Sequence, residues 1–289
     1  MTREQEFIEY CRFVRNYTPS TIRNYENLFD IVQRWACDTS YSVLCMSQDD
    51  VLRFIRDKMR AGSKAATVNQ YVSMISSFWR WAIRFHFDEY NFNPCDGIGR
   101  LKAEKDLPRC ISADMMRTIL ADMPESSFKQ LRSKAVILLA YHCGLRRSEL
   151  QNAQLCDVDF AQCTIRVTGK GRKVRVVPLS TELVRILRLY LNAASQANLT
   201  TSSLFCTTSK NPLSYDEVAF IVRQALRRWV PESLCHCHIL RHSFATSCMN
   251  AGVSIENIAT LMGHESVNTT MRYLTISAQR IREQMKNVF

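Results

Sequence analysis

The segment Gly144-Leu145-Arg146-Arg147-Ser148-Glu149-Leu150 places an arginine where one helix ends and another begins. A guanidinium held by the backbone at such a junction can fork onto the oxygens of a bound anion. Taken alone, Arg146 is also compatible with a surface arginine paired to Glu149. His238-Ile239-Leu240-Arg241-His242 sets His238 and Arg241 on one helical face at i, i+3, with Ile239, Leu240 and Phe244 on the buried side. His238 and His242 also have the i, i+4 spacing of helical metal sites, and Cys235-His236-Cys237 adds soft ligands. That zinc reading lacks the glutamate of hydrolytic zinc helices, and Arg241 would repel the cation; a satisfied core histidine is the third alternative. Lys170 stands at the tip of Gly169-Lys170-Gly171, which lacks the glycine spacing and Lys-Ser/Thr pair of a Walker loop. His264 follows Gly263 at a helix end, and Tyr273 lies further along in Thr269-Thr270-Met271-Arg272-Tyr273-Leu274.

Taken jointly and in this order, these residues resemble the tyrosine recombinase (phage integrase) family, whose catalytic set runs Arg, Lys, His, Arg, His or Trp, Tyr. Arg146 falls in the first-arginine box and Lys170 on the β-hairpin. His238 and Arg241 fall in the HxLRHxFAT box, present here as His238-Ile239-Leu240-Arg241-His242-Ser243-Phe244-Ala245-Thr246. His264 closes Leu261-Met262-Gly263-His264, and Tyr273 matches the nucleophile. The segment Thr18-Pro19-Ser20-Thr21-Ile22-Arg23-Asn24-Tyr25 is similar to the family's helical N-terminal DNA-binding domain. Size, and the lack of an additional arm-binding domain, are most similar to Xer-type recombinases and small integrases. Two departures stand out: Leu274-Thr275 replaces the Thr-His that often follows the tyrosine, and Cys235-His236-Cys237 precedes His238.

The resemblance implies a site-specific DNA recombinase that needs neither metal, cofactor nor ATP. Arg146 and Arg241 would hold the nonbridging oxygens of the scissile phosphate, and Tyr273 would attack phosphorus to leave a 3′-phosphotyrosine and a free 5′-hydroxyl. Lys170 would protonate the leaving oxygen, His238 would help take the tyrosine proton, and His264 would hydrogen-bond the phosphate. The implied partner is double-stranded DNA carrying a specific recombination site. The implied assembly on it is a homotetramer, or a heterotetramer with a paralogue, having two active and two inactive subunits per step. The implied fold is mainly α with a small β-sheet (α+β): an N-terminal helical bundle, the SAM-like core-binding domain, and a catalytic domain, closing as a C-shaped clamp on DNA. A type IB topoisomerase shares the tyrosine chemistry. A noncatalytic DNA-binding protein on a decayed scaffold is a different class, against which the six intact positions argue.

The elements that must position these residues are legible as patterns. A helix is expected near 4–14, and Thr18-Pro19 starts a periodic run from Ile22 to Trp35. Ser47-Gln48-Asp49-Asp50 opens a helix carrying Val51, Phe54, Ile55 and Met59, which Gly62-Ser63 ends. Another places Val68, Tyr71, Val72, Ile75, Phe78, Trp79, Ala82 and Ile83 on one broad face. Residues 98–111 are charged, nonperiodic and hold Gly and Pro, so they read as a linker between a domain at 1–97 and another at 112–289. The second domain predicts helices over 112–123 and 131–143, stopped by Gly144, then strands 163–168 and 174–178 joined by a glycine-rich basic turn. Helices follow at 180–194, 215–229, 238–250, 254–261 and 268–274. A terminal helix aligns Ile281, Met285, Val288 and Phe289, and the resemblance implies that it docks into a neighbouring protomer.

Composition limits the classes further. The 289 residues carry a formal charge of +11. Residues 1–99 hold equal numbers of acids and bases, so the whole excess lies in 100–289, as expected where a polyanion docks. No apolar run approaches the ~18 residues of a membrane span. The polar, acid-containing N-terminus is unlike a secretory or import signal, and the expected location is the cytoplasm. Twelve scattered cysteines without a CxxC pair read as reduced, mostly buried small hydrophobes.

Overall fold

Helix starts follow the hydroxyl pattern of the sequence. Thr2, Thr18, Ser47, Ser112, Ser127, Ser180, Ser214 and Ser254 each accept a backbone N–H from the first turn that follows them. Each thereby satisfies a donor that has no intrahelical partner. The computed structural model describes residues 1–86, 88–102, 110–169 and 173–263. The chain divides into two units, Met1–Lys105 and Asp106–Phe289. Among the described residues no helix is long and apolar enough to cross a membrane.

In the first unit, α1 (Arg3–Glu9), α2 (Pro19–Ala36), α3 (Gln48–Arg60) and α4 (Ala65–Phe85) pack around Phe7, Leu28, Val32, Phe54, Ile75 and Phe78. Phe7 meets the Tyr25 ring edge-on at 4.9 Å, and Phe78 stacks on Trp81 at 5.7 Å. The first helix departs from the expected 4–14 α-helix: beyond Glu9 it widens to a π-turn over Tyr10–Val14, where the Arg15 N–H bonds the Tyr10 carbonyl at 3.0 Å. The wider turn keeps Cys11 buried while Phe13 and Val14 face solvent. Beyond α4, the Leu101 backbone is held by the Asn69 side-chain amide, whose Nδ2 donates to the Leu101 carbonyl and whose Oδ1 accepts the Leu101 N–H, at 2.9 Å each.

The second unit is built around α6 (Phe128–His142). Its residues from Ala135 to Ala140 are all fully buried, as expected of a central helix that is apolar on every side. Around it pack α8 (Thr181–Gln196), α9 (Tyr215–Leu226) and α10 (Cys237–Asn250), and α5 (Ala113–Asp122) adds Met116, Ile119 and Leu120 to the same core. The short α7 (Arg147–Asn152) and α11 (Ile255–Met262) flank the site described below. One antiparallel sheet has the order β1 (Val158–Asp159), β2 (Thr164–Thr168), β3 (Val174–Pro178). Sequence patterning missed β1, because two residues show no alternation. Ile165 pairs with Val177 and Val167 with Arg175, so these four share the inner face while Val174 and Val176 face outward. Residues 170–172 of the expected turn, together with His264, the helix expected at 268–274 with Tyr273, and the terminal helix expected around Ile281, lie outside the described residues.

Candidate active site

The site is assembled at three chain reversals. α6 stops at Gly144, whose φ of +62° is the left-handed conformation that ends a helix. A Cβ at this position would lie 2.5 Å from the Phe244 ring, so glycine is required for space as well as for conformation. The chain then turns through Leu145, fully buried, and presents Arg146 as the cap of α7. Arg146 donates from its backbone N–H to Glu149 Oε2 and from Nη1 to Glu149 Oε1, both at 2.8 Å. Its Nη2 donates to the Gly263 carbonyl at 3.1 Å, and the side chain keeps 30% of its surface exposed.

Arg241 enters from α10. It is only 4% exposed and donates from Nη1 to the Gly144 carbonyl at 2.6 Å and from Nη2 to the Met262 carbonyl at 2.5 Å. Its Nη1 also lies 3.9 Å from Glu149 Oε2. A third guanidinium, Arg175 of β3, approaches the same carboxylate from the sheet, Nη1 to Oε1 at 2.9 Å and Nη2 to Oε2 at 2.8 Å. Its Nε reaches the Leu261 carbonyl at 2.7 Å. Burial acts to raise the Glu149 pKa, but the Arg175 hydrogen bonds and charge, followed by Arg146, outweigh it and hold the carboxyl at about 2. The consecutive carbonyls of Leu261, Met262 and Gly263 thus each accept from a different arginine. These carbonyls end α11 at Gly263, itself at φ +62°, where the helix dipole favours cations.

His238 lies one turn before Arg241 on α10, with its ring at the surface. Loss of water on its packed side lowers its pKa, and His236, Arg241, Arg146 and Arg147 add to the shift, so the neutral ring is favoured. His236 caps α10, with Nδ1 accepting the Ile239 N–H at 3.2 Å. Cys235 Sγ points at the carbonyls of Val230 and Pro231, at 3.7 and 3.5 Å, and burial pushes the Cys237 thiol up to about 11. Among the described residues no three His, Cys, Asp or Glu side chains gather as a metal site. All twelve cysteines are free thiols.

The first two arginine positions and a histidine therefore converge on a solvent-facing site whose buried floor is Glu149. Two family models match most of the chain. The model described as "Phage integrase family" matches residues 109–280, and that described as "Phage integrase, N-terminal SAM-like domain" matches residues 5–86. The chain belongs to the phage integrase family.

Relatives of this phage integrase family member include a protein named tyrosine recombinase XerC from Staphylococcus haemolyticus. The two are 27% identical over 97% of this chain and 94% of the relative. A XerC from Lactobacillus delbrueckii subsp. bulgaricus is 27% identical over 100% and 99%. Among solved structures, the Tn1549 transposon integrase in complex with transposon right end DNA superposes with a TM-score of 0.77 at 18% identity, covering 99% of this chain and 100% of that one. The XerH site-specific recombinase bound to palindromic difH substrate gives 0.75 at 20% identity, covering 98% and 84%. At these identities the likeness establishes a shared fold, mainly helical with a small sheet.

Of the six residues singled out in sequence, Arg146, His238 and Arg241 are described and gathered here; Lys170, His264 and Tyr273 lie outside the described residues. Their described neighbours Gly169 and Gly263 both border Arg175. A Cβ on Gly169 would sit 3.6 Å from Glu149 Oε1 and 3.7 Å from Arg175 Nη1, and one on Gly263 would sit 3.0 Å from Arg175 Nη1. Sequence reasoning missed Arg175 altogether and treated Glu149 only as a partner of Arg146. The signal that finds Arg175 is its pairing with Val167, which assigns it to the inner face.

Proposed function

We infer that this chain is a site-specific tyrosine recombinase, which cuts and rejoins duplex DNA through a 3′-phosphotyrosine intermediate in DNA integration and excision, inversion or dimer resolution. The observation that carries the reading is the arginine pair. Arg146 and Arg241 come from different helices, are fixed by a buried carboxylate and by helix-end carbonyls, and Arg146 keeps an exposed edge. Prearranged cations of this kind stabilise the added charge of a pentacoordinate phosphorane without reorganising during the reaction.

In this reading Tyr273 Oη forms a bond to phosphorus as the bond to the 5′-oxygen breaks. His238 takes the phenolic proton, Lys170 returns one to the 5′-oxygen, and Arg146, Arg241 and His264 hold the nonbridging oxygens. The covalent link retains the bond energy, so attack by another 5′-hydroxyl reseals the strand without ATP. Residues 1–97 act as the core-binding domain and 112–289 as the catalytic domain, joined through 98–111. The +11 charge, all of it from residues 100–289, supplies phosphate contacts that are independent of base sequence. The partner is double-stranded DNA with a specific recombination site, bound by a homotetramer or by a heterotetramer with a paralogue, and the location is cytoplasmic. The names of the XerC relatives, and the integrase and XerH structures on DNA, support this reading.

The test begins by recovering a site from random-sequence duplexes by binding selection, then incubating the protein with a nicked suicide duplex carrying it, in EDTA and without ATP. A denaturation-resistant protein–DNA adduct is expected from the wild type and not from Tyr273→Phe. No adduct from the wild type on a site that it binds overturns the reading.

A further inference from the structure

We propose that Arg175 is a positioning residue for DNA cleavage, acting through Glu149 and the end of α11 to keep Arg146 available to the phosphate. The proposal rests on the recombinase reading above and deepens it.

Glu149 is 5% exposed and ionised, and a buried carboxylate must have its charge and lone pairs answered by the protein. Arg175 answers both oxygens at once, in the planar two-pronged geometry that only a guanidinium provides, and it is itself only 10% exposed. Arg146 then has to share only Oε1 through its side chain. Without Arg175, Glu149 would lose two of its charge-assisted hydrogen bonds, and Arg146 and Arg241 would be drawn inward to replace them. Both would then compete poorly for an incoming phosphate.

The second tie runs through Nε to Leu261, next to the carbonyls that hold Arg241 and Arg146. One side chain of β3 therefore links the start of α7, the end of α11 and the strand that follows the Lys170 turn. Gly263 leaves space for this guanidinium, since a Cβ there would sit 3.0 Å from Arg175 Nη1. Among the described residues its hydrogen bonds go to Glu149 and to the Leu261 carbonyl, as a positioning role requires.

The experiment compares single-turnover cleavage of pre-bound suicide duplexes carrying either the normal scissile phosphodiester or a neutral methylphosphonate. An unfolded fraction lowers the amplitude of such a reaction and leaves its rate constant unchanged. On the phosphodiester, Arg175→Lys is expected to cleave about 10-fold and Arg175→Met about 100-fold slower than wild type, with site affinity retained. On the methylphosphonate, where no anionic oxygen needs Arg146, both losses shrink to about 3-fold or less. Adding Glu149→Gln to Arg175→Met should recover part of the rate, since the carboxylate that captures Arg146 is gone. Equal losses on both substrates, an unchanged rate constant with only the amplitude reduced, or a double variant no faster than Arg175→Met each overturn the role of Arg175. A wild type that forms no adduct on either substrate overturns the recombinase reading together with it.

Discussion

Glu149 receives Arg146 twice, from its backbone N–H and from Nη1, each at 2.8 Å. The first contact caps α7 and the second aims the guanidinium, so one carboxylate sets both the helix start and the orientation of its cation. Replacing it by glutamine keeps the shape and removes the charge that balances the surrounding arginines. Glu149→Gln is expected to lower unfolding free energy by about 3 kcal/mol, the scale of breaking a buried ion pair. Urea titration followed by circular dichroism reads it, and a loss under about 0.5 kcal/mol contradicts it.

The same residue gives stability a pH dependence. Its pKa is about 2 when folded against an ordinary 4.5, so the unfolded chain takes up the proton more readily and acid favours unfolding. The contribution is complete above about pH 4.5 and disappears as pH falls toward 2. Urea midpoints should fall over that window for the wild type and fall less steeply for Glu149→Gln. Some slope will remain in the variant, because hydrogen bonds from Arg185 and Lys134 hold Glu125 at about 2 as well. Identical slopes in the two proteins contradict the assignment.

Gly144→Ala should be disproportionately costly for one methyl group. The new Cβ meets Phe244 at 2.5 Å in a backbone conformation that side chains rarely adopt, so either the ring or the Gly144 backbone, whose carbonyl holds Arg241, must shift. A loss of about 2–4 kcal/mol is expected, combining left-handed strain with overpacking. Thermal unfolding measures it; a melting temperature within a degree of wild type refutes it.

Cleavage rate should carry the signature of His238. Its pKa is lowered from 6.5, first by desolvation and then by His236 and the nearby arginines, so at neutral pH the ring is free to take a proton, as its proposed role requires. Under subsaturating DNA the cleavage rate should rise along an acidic limb centred below pH 6.5 and then level off. His238→Gln should abolish that limb. A limb that persists unchanged in the variant assigns the titration to another group.

Much of this architecture was legible in the sequence because it depends on local chemistry. Hydroxyl caps mark the helix starts, Gly144 and Gly263 end helices where φ must be positive, and the junction at Arg146 follows from them. Arg175 was not legible, because Val174-Arg175-Val176-Val177 invites the opposite face assignment. Val174 and Val176 look like the inward pair, yet they are exposed, and Arg175 shares the inner face with Val177. Register against Ile165 and Val167 decides this, and a slip of one residue would invert it. The two-residue β1 was hidden because it is too short to show alternation, and the π-turn at Tyr10–Val14 because one local Arg15-to-Tyr10 turn leaves no period of its own. The joint order of Arg146, Lys170, His238, Arg241, His264 and Tyr273 carried more than any one of them did.

The identity of the nucleophile is the centre of the account, and digestion of the purified covalent adduct addresses it directly. After nuclease and trypsin treatment, mass spectrometry should find the nucleotide remnant on the peptide beginning at Tyr273, attached through the phenolic oxygen as a 3′-phosphate ester. A remnant on any other residue, or an adduct of unchanged yield from Tyr273→Phe, would contradict it.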